Sequence, residues 1–176
     1  MTATEAIGLD RAQELRREFD RSFAEPFHAA NRDVVDFIAI KLAGDPYAIR
    51  MADISGLFAG VKITPVPSPL SELRGIAGFR GALTPVYDLA ALLGYPPSHA
   101  RWVALANGGA LGFAFDAFEG HFRIEPSAIA AHENGLASRH VREIARQADA
   151  GWPIIDIPSV VAAIRKRLPQ ATAKKE

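Results

Sequence analysis

The spacing of apolar residues changes character about a fifth of the way along the chain. Leu15, Phe19, Phe23 and Phe27 recur every four residues, which aligns them along one side of a helix. Arg16, Arg17, Glu18, Asp20 and Arg21 lie between them as a solvated face. Pro26 ends or bends this helix. The stripe packs on the protein's own body or docks on a partner, because three phenylalanines left exposed would be an aggregation hazard. From Asp36 onward the pattern is that of strands. Phe37–Leu42 reads as a strand, Gly44-Asp45 as a turn, and Tyr47–Met51 as the antiparallel partner. Thr64-Pro65-Val66-Pro67-Ser68-Pro69 is an extended surface connector, since alternate prolines favour polyproline geometry and bar a central strand. Ala82–Tyr87 is a further strand. Asp88 then stands at a helix N-cap, and Leu89–Leu93 forms a short apolar helix stopped by Gly94.

The second half repeats this logic. Arg101–Leu105 reads as a strand, Asn107-Gly108-Gly109 as a hairpin turn, and Leu111–Phe115 as the returning strand. Phe118–Ile124 continues the sheet, while His140–Arg146 is either helical or an irregular strand. Pro153-Ile154-Ile155 leads into Asp156, and Val160, Val161 and Ile164 form the apolar face of a C-terminal helix. Two echoes tie the halves together. Pro85-Val86-Tyr87-Asp88-Leu89 returns as Pro153-Ile154-Ile155-Asp156-Ile157, and Tyr47–Met51 returns at a similar interval as Leu111–Phe115. A duplicated β architecture follows. The expected organisation is an N-terminal helix and linker over residues 1–33, two β lobes of roughly 34–97 and 98–168, and a polar tail over 169–176.

Composition narrows the function. The 176 residues include no cysteine, which removes disulfide, thiol and thiolate-metal chemistry. Formal net charge is zero, from 20 basic and 20 acidic residues, so the basic footprint of nucleic-acid binding is missing. No apolar run approaches the ~20 residues needed to cross a bilayer, and Thr2-Ala3-Thr4-Glu5 begins nothing like a signal peptide. A soluble cytoplasmic protein is expected. The five histidines, His28, His99, His121, His132 and His140, form no metal-ligand spacing. Asp88 and Asp156 occupy equivalent places in the repeat, but capping accounts for both without acid–base work. Gly75, Gly78 and Gly81 are read as lying between strands, with no helix opening after them to cradle a phosphate. No catalytic residue, cofactor or metal is therefore assigned.

Arg80 is the leading candidate for function. It stands between Phe79 and Gly81, and an arginine beside an aromatic, framed by glycine, makes a good interface anchor. The competing reading is an internal ion pair that holds a loop.

The order and spacing of these segments resemble the CheW family of chemotaxis coupling proteins over about residues 35–165. Tyr47–Met51 matches the family's Tyr-Gly-Ile-Pro-Val, and Pro65, Pro67 and Pro69 match its connector prolines. Gly75, Gly78–Gly81 and Pro85–Leu89 match a glycine, Asn-Leu-Arg-Gly and Pro-Val-x-Asp-Leu. Leu111–Phe118 looks like Ile-Gly-Leu-Leu-Val-Asp-x-Val. The resemblance implies two SH3-like five-stranded β-barrels sharing a hydrophobic core, here with the added N-terminal helix and a short C-terminal helix. It also implies a non-catalytic adaptor that links chemoreceptor cytoplasmic tips to the regulatory domain of a CheA-type histidine kinase. By match to the motifs, Gly75, Phe79, Arg80 and Gly81 are interface candidates, with Ile54 and Leu57 near a second contact region. Leu15, Phe19, Phe23 and Phe27 would dock the helix. The chain departs from the pattern at Gly78-Phe79, which replace Asn-Leu, and at Gly56, where an acidic residue is usual. Its N-terminal helix is also longer than a minimal member needs. The alternative function is a small-ligand sensor or accessory interaction module on the same fold.

Overall fold

The computed structural model describes residues 33–97, 99–108, 111–132, 140–147 and 150–173. The Leu15–Phe27 stripe lies outside them. The chain divides into residues 1–33 and 34–176, and the second unit carries the β structure. Strands β1 (Val35–Leu42) and β2 (Asp45–Arg50) form a hairpin. It closes through Ala43 and Gly44, at φ 51° and 92°, the paired positive angles of a two-residue turn matched to strand twist. Strands β3 (Ile54–Ala59), β4 (Leu73–Phe79) and β5 (Ala82–Asp88) follow, then the one-turn helix α1 (Leu89–Leu92). The remainder comprises β6 (Trp102–Ala106), β7 (Gly112–Phe115), β8 (Ala117–Ile124), β9 (Ile129–Ala131), β10 (Val141–Gln147), β11 (Ala150–Ile155) and α2 (Ile157–Ala173). The expected mainly β fold is present as two sheets, ordered β8-β1-β2-β11-β10-β9 and β3-β6-β7-β5-β4.

The lobes expected at 34–97 and 98–168 are not consecutive in space. The halves are duplicates, but each sheet takes its first hairpin from the opposite half: β1–β2 sits among β8, β10 and β11, and β6–β7 sits among β3, β4 and β5. The reason is the parallel pairing of the repeated segments. Val86 faces Gly112 and Tyr87 faces Phe113 in one sheet, while Ile154 faces Ala48 and Ile155 faces Ile49 in the other. Even the irregularities are duplicated. The register shift between Leu73 and Gly75 in the β4–β5 pair returns at the equivalent place in the β10–β11 pair, between Val141 and Glu143.

This exchange explains why the hairpins read as nearly continuous apolar runs. Ile38, Ile40, Leu42, Tyr47 and Ile49 point into a central core with Ala104, Phe113, Phe115 and Ile155. The alternate residues Phe37, Ala39 and Ala48 enter a second core with Phe122, Ala145 and Ile154. Val103, Leu105 and Ala114 enter a third with Ala77, Phe79 and Val86. A strand buried on both faces has no polar side to show. The result is a core inside each sheet and one shared between them.

Both aspartates cap as expected. Asp88 Oδ1 accepts from Ala91 N–H at 3.1 Å and Asp156 Oδ1 from Ser159 N–H at 2.9 Å. Other expectations need correction. Gly75 and Gly78 lie inside β4, not between strands, and β3 is also a strand. His140–Arg146 resolves as strand rather than helix over Val141–Gln147, because it repeats β4. The C-terminal helix extends to Ala173, past the expected boundary at 168.

Candidate functional site

The β4–β5 hairpin places Arg80 and Gly81 at its tip, at φ 48° and 83°. These are again the positive angles of a two-residue turn, natural for glycine and costly by about 1–3 kcal/mol for arginine. Arg80, Gly81 and Ala82 are exposed, and Leu83 is 76% exposed. The residue opposite Leu83 in register is Gly78, which has no side chain to cover it. Phe79 points inward, 5% exposed, with its ring 5.0 Å from that of Phe58. Closure of the sheet brings this tip against β3. A Cβ at Gly56 would lie 3.8 Å from Arg80 Nη2 and 2.8 Å from the Phe58 ring. Among the described residues Arg80 has no hydrogen-bond or ion-pair partner, so the internal ion-pair reading finds no support.

Gly56 also lines a groove on the surface. This groove of about 810 Å³ runs between β3, an edge strand of one sheet, and β8, an edge strand of the other. Ile54 and Leu57 line it from β3, Phe118 and His121 from β8, and Ile38 forms part of its floor. At its side stand Val34 and Met51, each 43% exposed. One wall is polar. Asp36 Oδ1 is 2.7 Å from His121 Nε2 and accepts from Arg123 Nε–H at 2.6 Å. The Arg123 hydrogen bond, followed by that of His121, holds the Asp36 carboxyl below its usual range.

The structure thus gathers Phe79, Arg80, Gly81, Ile54 and Leu57 around β3 and the adjoining hairpin tip. Gly75 is not among them. It is buried, and a Cβ there would run into the Thr64 carbonyl and come within 2.9 Å of Pro65 Cα. The stripe Leu15–Phe27 lies outside the described residues. Leu83, Val34, Met51 and the Asp36–His121–Arg123 cluster are the site residues that sequence reasoning missed. Leu83 had a local signal, an apolar residue two beyond a turn glycine. The cluster had none, because Asp36 and His121 are 85 residues apart.

The carboxylates singled out earlier are engaged elsewhere. Asp88, 1% exposed, receives Arg74 Nη1 at 2.9 Å on the oxygen that does not cap α1. Buried His140 Nδ1 lies 2.8 Å from Ser159 Oγ at the start of α2. Among the described residues no three His, Cys, Asp or Glu side chains are grouped to hold a metal ion, and no helix is long and apolar enough to cross a membrane.

No curated protein matches the chain. A solved structure does: the scaffolding protein TtCheW from Thermoanaerobacter tengcongensis, at 23% sequence identity and a TM-score of 0.62. The match covers 69% of this chain and 88% of that one. At this identity the likeness establishes the fold, the double β-barrel anticipated from sequence. The family model for the CheW-like domain matches residues 36–165, most of the chain and every strand residue except Val35. The chain belongs to the CheW-like domain family.

Proposed function

We propose that this protein is a non-catalytic adaptor of chemotaxis-type signalling in the cytoplasm. It joins the cytoplasmic tip of a methyl-accepting chemotaxis receptor to the regulatory domain of a CheA-type histidine kinase. The observation that carries the reading is that one strand, β3, serves two adjoining surfaces. Its Ile54 and Leu57 line the groove, and its Gly56 lies beside Arg80 at the exposed hairpin tip. An adaptor needs two docking surfaces held at fixed spacing, and the shared core beneath them provides that rigidity. Exposed apolar side chains framed by polar ones mark a docking surface. Leu83 at the tip and Met51 and Val34 at the groove, beside the Asp36–His121–Arg123 wall, fit that description. Family membership and the scaffolding role of the structural neighbour support the same reading. In this scheme Arg80, Gly81 and Leu83 meet one partner, Ile54 and Leu57 the other, Phe79 supports the tip from within, and Gly75 seats the Thr64-Pro65 connector against β4. The N-terminal stripe of Leu15, Phe19, Phe23 and Phe27 adds a contact to one of them.

Calorimetry of the full chain with the purified kinase regulatory domain, and with a coiled-coil fragment bearing the receptor tip, tests the proposal. Binding to both, with a ternary complex on mixing, is the expected result. Binding to neither refutes it. If small molecules then raise the melting temperature reproducibly, the groove is a ligand pocket. Deleting residues 1–30 separately tests the stripe: a lower melting temperature with unchanged binding makes it structural.

A further inference from the structure

We infer that Arg80 recognises a carboxylate supplied by a partner protein, on a segment that also presents an apolar side chain to Leu83. The inference rests on the adaptor reading and specifies the chemistry the partner brings to the hairpin tip.

The molecule contains its own control for what Arg80 does for the fold. The β10–β11 hairpin repeats β4–β5 with the same register and the same bulge, Val141 facing Ile155 as Leu73 faces Tyr87. At the position equivalent to Arg80 its sequence has Ala148. The two strands therefore pair without an arginine at that sequence position. Placing one at φ 48° is a strain that the turn itself does not require.

The surroundings of the guanidinium point outward for its partner. Arg50, Arg74, Arg123 and Arg167 are ion-paired with Glu143, Asp88, Asp36 and Glu72. Arg80, like Arg101, Arg142, Arg146 and Arg165, has no ion-pair partner among the described residues, and of these five it alone stands at a hairpin tip with a positive φ. Gly56 marks the place from which β3 could have supplied one, since a Cβ there would stand 3.8 Å from Nη2. With glycine in that place, β3 offers the guanidinium no carboxylate. The Phe58 ring, packed on that of Phe79, borders the same Gly56 position, and an apolar boundary strengthens a charged hydrogen bond by excluding water. The planar fork of arginine matches a carboxylate with two parallel hydrogen bonds. Leu83, uncovered because Gly78 stands opposite, supplies the apolar half of the contact. An acidic residue flanked by an apolar one on a protein loop satisfies both halves.

The test uses the full chain with the kinase regulatory domain and the receptor-tip fragment as probes, by calorimetry at low and high salt. Arg80→Gln should weaken binding of one probe about tenfold or more and flatten its salt dependence. Gly56→Glu offers Arg80 a carboxylate from its own chain, so it should bind that probe about tenfold more weakly than Gly56→Gln. Those two variants add the same bulk against Phe58, so a difference between them reports charge and not folding. If a probe binds but Arg80→Gln matches wild type and the two Gly56 variants match each other, the inference is overturned while the adaptor reading stands. If wild type binds neither probe, both fall together.

Discussion

Replacing Gly75 by alanine separates a structural glycine from an interface glycine. Gly75 sits at φ 144° where β4 bulges, beneath the proline-rich connector. An added Cβ would collide with the Thr64 carbonyl oxygen, lie 2.6 Å from the Thr64 carbonyl carbon and come within 2.9 Å of Pro65 Cα. All three are backbone atoms, so no side-chain rotation relieves the clash. The connector must lift, which breaks the bridge in which Thr64 N–H donates to Ile76 C=O at 2.8 Å and Ile76 N–H donates to Thr64 C=O at 2.9 Å. Two backbone hydrogen bonds at about 0.5–1.5 kcal/mol each, plus about 1–3 kcal/mol for an L-residue at that φ, total about 2–6 kcal/mol. That is a large share of the ~5–15 kcal/mol that stabilises a domain, and it lowers the melting temperature by roughly 10 °C. The control is Gly78→Ala, three residues along the same strand, where an added Cβ meets nothing within 4 Å. Thermal and urea unfolding followed by circular dichroism reads both variants. Gly78→Ala should stay within about 0.5 kcal/mol of wild type. If Gly75→Ala is equally mild, the packing account of Gly75 is wrong, and its place in the motif needs a different explanation.

Asp88→Ala removes both an N-cap and the partner of Arg74 from a buried site, so urea unfolding should show a loss of about 3–5 kcal/mol; Asp156→Ala, which removes a cap at a half-buried position, should cost about 1 kcal/mol. Burial raises the Asp53 carboxyl above its usual value, with nearby Asp156 adding to the effect and Arg50 opposing it. A carboxyl raised on folding contributes stability below its unfolded pKa and loses it as pH rises through the folded value. Asp53→Asn should therefore be more stable than wild type at neutral pH, with the gap closing below about pH 4, as unfolding curves at the two pH values will show. Leu83→Ser should leave stability within about 0.5 kcal/mol, because the side chain is already 76% exposed. It should nevertheless weaken binding of the probe that depends on Arg80, measured by the same calorimetry.

What could be read from sequence was local. The Asp88 and Asp156 caps are visible because a cap joins a side chain to a backbone N–H three residues away. The β1–β2 hairpin is visible because its apolar runs flank a glycine turn, and the duplication because Pro85–Leu89 and Pro153–Ile157 still look alike. Strands β3 and β4 escaped because Gly56, Gly75 and Gly78 interrupt the apolar pattern that marks a strand. Only the tertiary structure decided which strands pair. Hydrogen-bonded partners such as Tyr87 and Phe113 leave no mark on their neighbours in the chain, so two consecutive lobes and two exchanged ones read alike. The same holds for the site. The sequence picks out Arg80, Ile54 and Leu57 as separate residues, and closure of the sheet brings Gly56 to Arg80 and leaves Gly75 buried. Side-chain type is written residue by residue, whereas exposure and proximity depend on contacts between segments far apart in the chain.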